Sequence, residues 1–151
     1  INPYGASKLA GERAVRVALP DAVIVRTAWI FGGPRSFPTR ILAAARRMAD
    51  AGQPLRVVSD EVGNPTPAAD LAVHTVTLIG LPSAPLVLHV AGEPPISRLE
   101  WARRVLDGAG LPEPTAIHAS AYARDSTPPS HAVLDTSLAR SLGLGIDWRA
   151  A

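Results

Sequence analysis

Tyr4 and Lys8 form a Tyr-x-x-x-Lys pair inside Tyr4-Gly5-Ala6-Ser7-Lys8-Leu9-Ala10-Gly11-Glu12. Lys8 is the only lysine in a chain whose lysines and arginines total 15, and Tyr4 is one of 2 tyrosines. Arginine supplies positive charge everywhere else, so a lysine at this place points to a role that arginine would not fill. A four-residue step puts both side chains on one face of a helix, one turn apart. An ammonium beside a phenol favours the phenolate, and such a pair suits donation or acceptance of a proton near neutral pH. Gly5, Ala6, Ala10 and Gly11 are small, so this helix can come close to another backbone or a flat cofactor. Each glycine inside a helix costs about 1 kcal/mol relative to alanine, and close approach is the compensation expected.

The elements that must position this pair alternate between helix and strand. Asn2 suits a helix N-cap and Pro3 the first helical position, so a helix is expected from Pro3 to about Ala18, ended by Pro20. Ala22 to Ile30 is β-branched and apolar and predicts a buried strand, followed by a turn at Phe31-Gly32-Gly33-Pro34. Ser36 to Ala51 predicts a helix with Gly52 as its stop, and Leu55 to Ser59 a short strand. Asp60 to Pro67 is dense in turn formers and predicts a loop. A helix over Ala68 to Ile79, a strand over Leu86 to Val90 and a helix over Ser97 to Ala109 come next; Ser97 and Glu100 form a capping box. Short strands at Ile117 to Ala119 and Ala132 to Leu134 flank a Pro- and Ser-rich loop, and Thr136 to Leu142 predicts a last helix. This alternation argues for an α/β domain with parallel strands.

Length and composition bound the rest. The chain has 151 residues, 47% hydrophobic and 19% charged, which suits one modest globular domain. It holds 0 cysteines, which removes disulfides and thiolate metal sites and fits a reducing compartment; the expected location is cytoplasmic. No apolar run approaches the ~20 residues that span a bilayer, and no leader pattern opens the chain. The first residue, Ile1, stands almost on the Tyr-x-x-x-Lys motif, so a preceding segment is expected. Net charge is only +2, with arginines spread over several helices, which fits solvated faces better than a nucleic-acid stripe. His74, His89, His118 and His131 show no metal spacing, so no metal is expected. Gly143 and Gly145 read as a turn, and Asp70 as a helix-start residue.

The Tyr4–Glu12 segment resembles the active-site helix of extended short-chain dehydrogenases/reductases, and in detail the dTDP-4-dehydrorhamnose reductase family. The likeness continues in order through Arg26-Thr27-Ala28-Trp29-Ile30-Phe31-Gly32, Val58 to Thr66, Asp70-Leu71-Ala72, Leu88 to Gly92, and Val133-Leu134-Asp135-Thr136-Ser137. The resemblance implies the C-terminal half of a Rossmann-like α/β fold with a small substrate-binding subdomain. It implies that residues 1–60 carry the end of the dinucleotide-binding domain with the active-site helix, and residues 61–151 mainly the substrate-binding subdomain. It further implies that Tyr4 protonates the carbonyl oxygen of a 4-keto sugar as hydride arrives from NADPH or NADH, while Lys8 holds the nicotinamide ribose and favours the Tyr4 phenolate. Trp29 would pack against the sugar ring, although the residues alone also allow an ordinary core aromatic. The loop from Asp60 to Thr66 would border the substrate cleft, with Thr66 as a contact, or serve as a rigid turn under the sheet. His131 falls where the family often has a polar substrate-side residue.

The expected partners are a nucleotide-sugar substrate and, as an open alternative, a second copy in a homodimer; nucleic acid and membrane are not expected. The family's Gly-rich pyrophosphate turn and its catalytic Ser or Thr would both precede Ile1, so these 151 residues alone are expected neither to bind NAD(P)H tightly nor to turn over. Pro128-Pro129 stands where the family often has Arg-Pro, leaving Arg124 as the near arginine. Two alternatives stay open beside the reductase: a sugar-nucleotide epimerase of the same superfamily and a non-catalytic reductase-like regulatory subunit.

Overall fold

A computed structural model of the chain describes residues 2–81, 83, 85–124 and 128–150. Residues 125–127, part of the expected Pro- and Ser-rich loop, lie outside the described residues. In chain order the elements are α1 (Pro3–Ala18), β1 (Ile24–Arg26), β2 (Ile30–Phe31), α2 (Phe37–Asp50), β3 (Arg56–Val58), β4 (Val62–Gly63), β5 (Thr66–Pro67) and α3 (Ala68–Ile79). Then follow β6 (Val87–His89), β7 (Gly92–Glu93), β8 (Ile96–Ser97), α4 (Arg98–Asp107), β9 (Thr115–Ile117), β10 (His131–Ala132), α5 (Ser137–Ser141) and β11 (Ile146–Asp147).

The helix signals act as their chemistry dictates. Asn2 Oδ1 accepts from the Gly5 amide at 2.8 Å, which satisfies one of the orphan donors at the start of α1. Ser97 Oγ accepts from the Glu100 amide at 3.1 Å at the start of α4. Asp70 sits in the first turn of α3, where a carboxylate complements the helix dipole. Gly52 adopts φ 64° after α2, and Gly143 adopts φ 75° in the turn after α5.

Strand pairing is mostly parallel, as the alternation predicts. β1 pairs with β6, Val25 opposite Leu88. β3 pairs with β9, Val57 opposite Ala116. β2 pairs with β5, β10 with β4, and β11 with β7, all parallel. The exception is β4 with β8, antiparallel, with Val62 opposite Ser97. The expected strand over Ala22 to Ile30 is split into β1 and β2, because Thr27 to Trp29 leaves the ladder. The expected loop over Asp60 to Pro67 carries β4 and β5. β1, β2 and β3 precede residue 61, yet each pairs with a strand that follows it. The two expected portions are therefore interleaved in space.

Three apolar clusters hold these elements. Leu78, Leu88, Val90, Ala139, Leu144 and Ile146 join α3, β6, α5 and β11. Val57, Leu99 and Ala102 join α2, β3 and α4. Ile96, Trp101 and Trp148 form the third, with Trp29, Phe31 and Phe37 packed against it. By contrast, α1 buries no residue fully. It is tied to β1 by a forked ion pair, in which Arg26 Nε and Nη2 donate to Glu12 Oε1 and Oε2 at 2.8 and 2.6 Å. Among the described residues no helix is long and apolar enough to cross a membrane.

Candidate functional site

α1 presents Tyr4 and Lys8 on one face. Tyr4 is 71% exposed in its first turn, and Lys8 is exposed one turn further on. Gly11 continues the same face, and a Cβ added there would meet nothing within 4 Å. The face is thus open to a flat group, and a phenol and an ammonium are the donors that hydroxyls and a carbonyl oxygen require. Residues of this type and placement fit a nicotinamide nucleoside.

The most chemically loaded cleft lies elsewhere, between α2, α4 and the segment after β9. It encloses about 810 Å³, and Trp29, Phe37 and Trp101 supply its aromatic wall. Arg35, Arg40, Arg47, Arg56, Arg98 and Arg124 supply its charge, and among the described residues Glu61 is the one lining carboxylate. Such a surface attracts anions, and its aromatic wall offers flat area to a ring.

Glu61 organises the cationic side. It is only 6% exposed. Arg124 Nη2 donates to Glu61 Oε1, and Arg98 Nε stands 3.9 Å from Glu61 Oε2. One buried carboxylate therefore faces two guanidinium groups, which is the pairing a buried charge needs. Arg98 lies over the Trp29 ring, its Cζ 3.8 Å from the indole centroid and 4.9 Å from the Phe37 ring centroid. Burial pushes the Arg98 guanidinium below its ordinary pKa, the nearby Glu61 charge opposing that fall and Arg124 adding to it.

Trp29 is fixed from several sides. Its ring is nearly parallel to Trp101, 5.9 Å away with an interplanar angle of 6°. A Cβ on Gly63 would lie 2.5 Å from Trp29 Cε2, so only glycine leaves room for the indole there. Trp29 also has φ 41°, the left-handed region that costs a non-glycine residue of order 1–3 kcal/mol. Strain of this kind persists only where the surroundings over-determine the conformation.

The remaining sequence candidates are separated by the structure. Thr66 is 0% exposed, its hydroxyl donating to the Asn64 carbonyl at 3.1 Å and accepting from the Gly92 amide at 3.1 Å. The expectation of a substrate contact at Thr66 is corrected on this point, since no surface of it reaches solvent. Asn64, also buried, donates to the Gly92 carbonyl and accepts from the Leu134 amide, both at 2.8 Å. The Asp60–Thr66 stretch thus divides: Glu61 lines the cleft, while Asn64 and Thr66 brace the sheet. His131 is exposed on β10 and does not line the cleft. His89 Nδ1 lies 3.1 Å from the Asp135 carbonyl and His118 Nδ1 lies 3.2 Å from Asp60 Oδ2. The Ala119 amide, donating to Asp60 Oδ1 at 2.8 Å, leads the contacts that hold the Asp60 carboxyl below its usual range. Among the described residues no group of three or more His, Cys, Asp or Glu could hold a metal ion. The sequence reading missed Arg98. Its signal was an arginine directly after a capping serine, a spacing that carries no chemistry until Trp29 is folded beneath it.

The fold is α/β, of the Rossmann-like kind found in extended short-chain dehydrogenases/reductases. A family model described as the RmlD substrate binding domain matches residues 1–151, and the chain belongs to that family. A dTDP-4-dehydrorhamnose reductase of Mycolicibacterium smegmatis is 35% identical over 156 residues, covering 100% of this chain and 47% of that protein. A probable dTDP-4,6-dihydroxy-2-methyloxan-3-one 4-ketoreductase of Streptomyces antibioticus is 34% identical over 155 residues, covering 98% of this chain and 50% of that one. The crystal structure of a Bacillus anthracis dTDP-4-dehydrorhamnose reductase in complex with NADP superposes with a TM-score of 0.82 at 27% identity, covering 95% of this chain and 50% of that chain. The chain therefore spans about half the length of the curated relatives it matches.

Proposed function

We propose that this chain is the substrate-binding, C-terminal part of a reductase that uses NADPH or NADH to reduce the 4-keto group of a nucleotide-linked 6-deoxyhexose. The observation that carries the reading is the cleft. An aromatic wall of Trp29, Phe37 and Trp101 stands beside six arginines. A sugar ring joined to a nucleoside diphosphate offers the complement: a flat apolar face and two linked anionic groups. The named activities of the Mycolicibacterium and Streptomyces relatives support the same substrate class.

Within this reading a bound reduced nicotinamide supplies the hydride. Tyr4 Oη donates the proton to the carbonyl oxygen, so that charge never builds on the new alkoxide. Lys8 Nζ holds the ribose hydroxyls and keeps a positive charge beside the phenol. Trp29 orients the sugar, and His131, exposed on β10 outside the cleft, is assigned a contact with substrate that extends beyond it. Functionally, residues 1–60 carry the cofactor-side helix α1 and also Trp29, Phe37 and four of the cleft arginines, and residues 61–151 supply the rest of the substrate side. The setting is cytoplasmic, and assembly into a homodimer is part of the proposal.

The test uses the full-length protein with NADPH or NADH and a panel of dTDP-4-keto-6-deoxy sugars, reading loss of the reduced-nicotinamide absorbance. Tyr4→Phe is expected to lower turnover by roughly 100-fold or more while cofactor binding persists, the scale of a lost general acid. Undiminished turnover removes the role given to Tyr4. Sugar interconversion without net nicotinamide oxidation supports an epimerase instead, and nucleotide binding without either reaction supports a regulatory subunit.

A further inference from the structure

Arg98 stands out among the cleft arginines because its surroundings do not match its charge. Its side chain is 26% exposed, and among the described residues its nearest carboxylate oxygen is 3.9 Å away and none accepts a hydrogen bond from its guanidinium. What it does touch is aromatic: Trp29 at 3.8 Å, Phe37 at 4.9 Å and Trp101 at 6.0 Å from the ring centroids. A guanidinium this far from ideal ion-pair geometry, yet over the face of an indole at 3.8 Å, is held there chiefly by the ring quadrupole. Trp29 in turn occupies a backbone conformation that its own residue type disfavours, φ 41°. The contacts that hold it include the Trp101 ring, the Gly63 backbone, Arg98 and a hydrogen bond from the Thr66 amide to the Trp29 carbonyl at 3.2 Å.

We infer that Arg98 is a positioning residue for Trp29, and that Glu61 sets Arg98 in turn, so that the aromatic platform of the cleft is held by a charge relay as well as by apolar packing. Arg98 covers the indole face and Glu61 faces both Arg98 and Arg124. Without the Glu61 charge the two arginines are like charges in a half-buried site with no shared counterion among the described residues. The relay makes the platform specific: an apolar residue at position 98 fills the space but cannot fix the ring, and a lysine carries the charge without the flat guanidinium plane.

This rests on the reading of Trp29 as the residue that orients the sugar, and the experiment separates the two. In the full-length enzyme, Arg98→Met is expected to raise KM for the dTDP-4-keto-6-deoxy sugar roughly tenfold, the scale of a desolvated cation–π contact, with kcat and cofactor affinity little changed. Arg98→Lys is expected to recover part of that loss, and Glu61→Gln to shift KM in the same direction. The decisive arm repeats Arg98→Met in a Trp29→Phe background, where most of the KM effect should vanish because the residue it positions is gone. An undiminished effect in that background, or an unchanged KM in the single variant, overturns the inference. Tryptophan emission and its quenching by acrylamide are read in parallel, with Trp29→Phe identifying the Trp29 share. Arg98→Met should leave Trp29 more quenchable, and an unchanged Trp29 signal also overturns the inference. The emission arm needs no turnover. If no sugar is reduced while Trp29 emission responds to Arg98, the reductase reading fails and the positioning role stands.

Discussion

Two glycines show how sharply single atoms set the shape of the site. At Gly63 an added methyl would press into the Trp29 ring at 2.5 Å, and the ring could move only by leaving Trp101 and Arg98. At Gly92 the same methyl would lie 1.8 Å from the Pro65 carbonyl oxygen, which is backbone and cannot rotate away. Gly63→Ala is expected to cost about 1–3 kcal/mol, the usual penalty of overpacking, and to change Trp29 emission. Gly92→Ala should cost more, because the Asn64 and Thr66 hydrogen bonds around it must shift with the chain. Chemical denaturation of both variants checks the order; equal losses would show that the Pro65 backbone yields more easily than its packing indicates. Gly63 was visible in the sequence among the turn formers of residues 60–67 and Gly92 at the end of a strand-like segment, but nothing there revealed that an indole and a carbonyl stand over them. The same limit applies to Thr66, whose hydroxyl looked available for a ligand until its two internal partners were placed.

At the scale of the elements, local signals governed what local chemistry governs. α1 spans Pro3–Ala18, the range its Asn2 cap and its prolines predicted, and α3 spans Ala68–Ile79, as expected. The short strands around Val62, Thr66 and Ile96 were hidden because each is two residues long and gains its identity from a distant partner, such as Ser97 opposite Val62. Tertiary contact also decides how α1 is held. With no fully buried residue, it relies on the Arg26–Glu12 fork. The Arg26 hydrogen bond is the main reason the Glu12 carboxyl lies below its ordinary range. A depressed carboxylate stabilises the fold above its unfolded value, and that contribution fades as pH falls through the folded one. Because Arg26 is well exposed, the pair is worth no more than about 1 kcal/mol. Glu12→Gln should therefore lower the melting temperature slightly at neutral pH, and the gap from the parent protein should close in acid. A gap that persists with Glu12 protonated would mean that the side chain acts through packing instead.

For the whole molecule, the unequal distribution of burial predicts an unequal distribution of stability. α4 buries Leu99, Trp101, Ala102 and Leu106, and so belongs to two of the three apolar clusters. α1 belongs to none of them. Elements with few buried contacts open at low free energy, whereas those in the core exchange only near global unfolding. In the 151-residue chain, hydrogen exchange should accordingly be fast across α1 and slowest in α4 and β6, with Leu88 and Val90 among the last amides protected. Addition of a nicotinamide cofactor to the full-length protein should slow α1 selectively, since Tyr4 and Lys8 are the residues proposed to hold it. Slow exchange in α1 without cofactor would show that the helix is secured by contacts beyond the Arg26–Glu12 fork. The proton-transfer pair would then stand on a rigid support instead of one that ligand binding completes. The proposed division of labour fits the arrangement: the cleft is built against the buried Trp101 of α4, and the Tyr4–Lys8 pair stands on the helix that buries no residue fully.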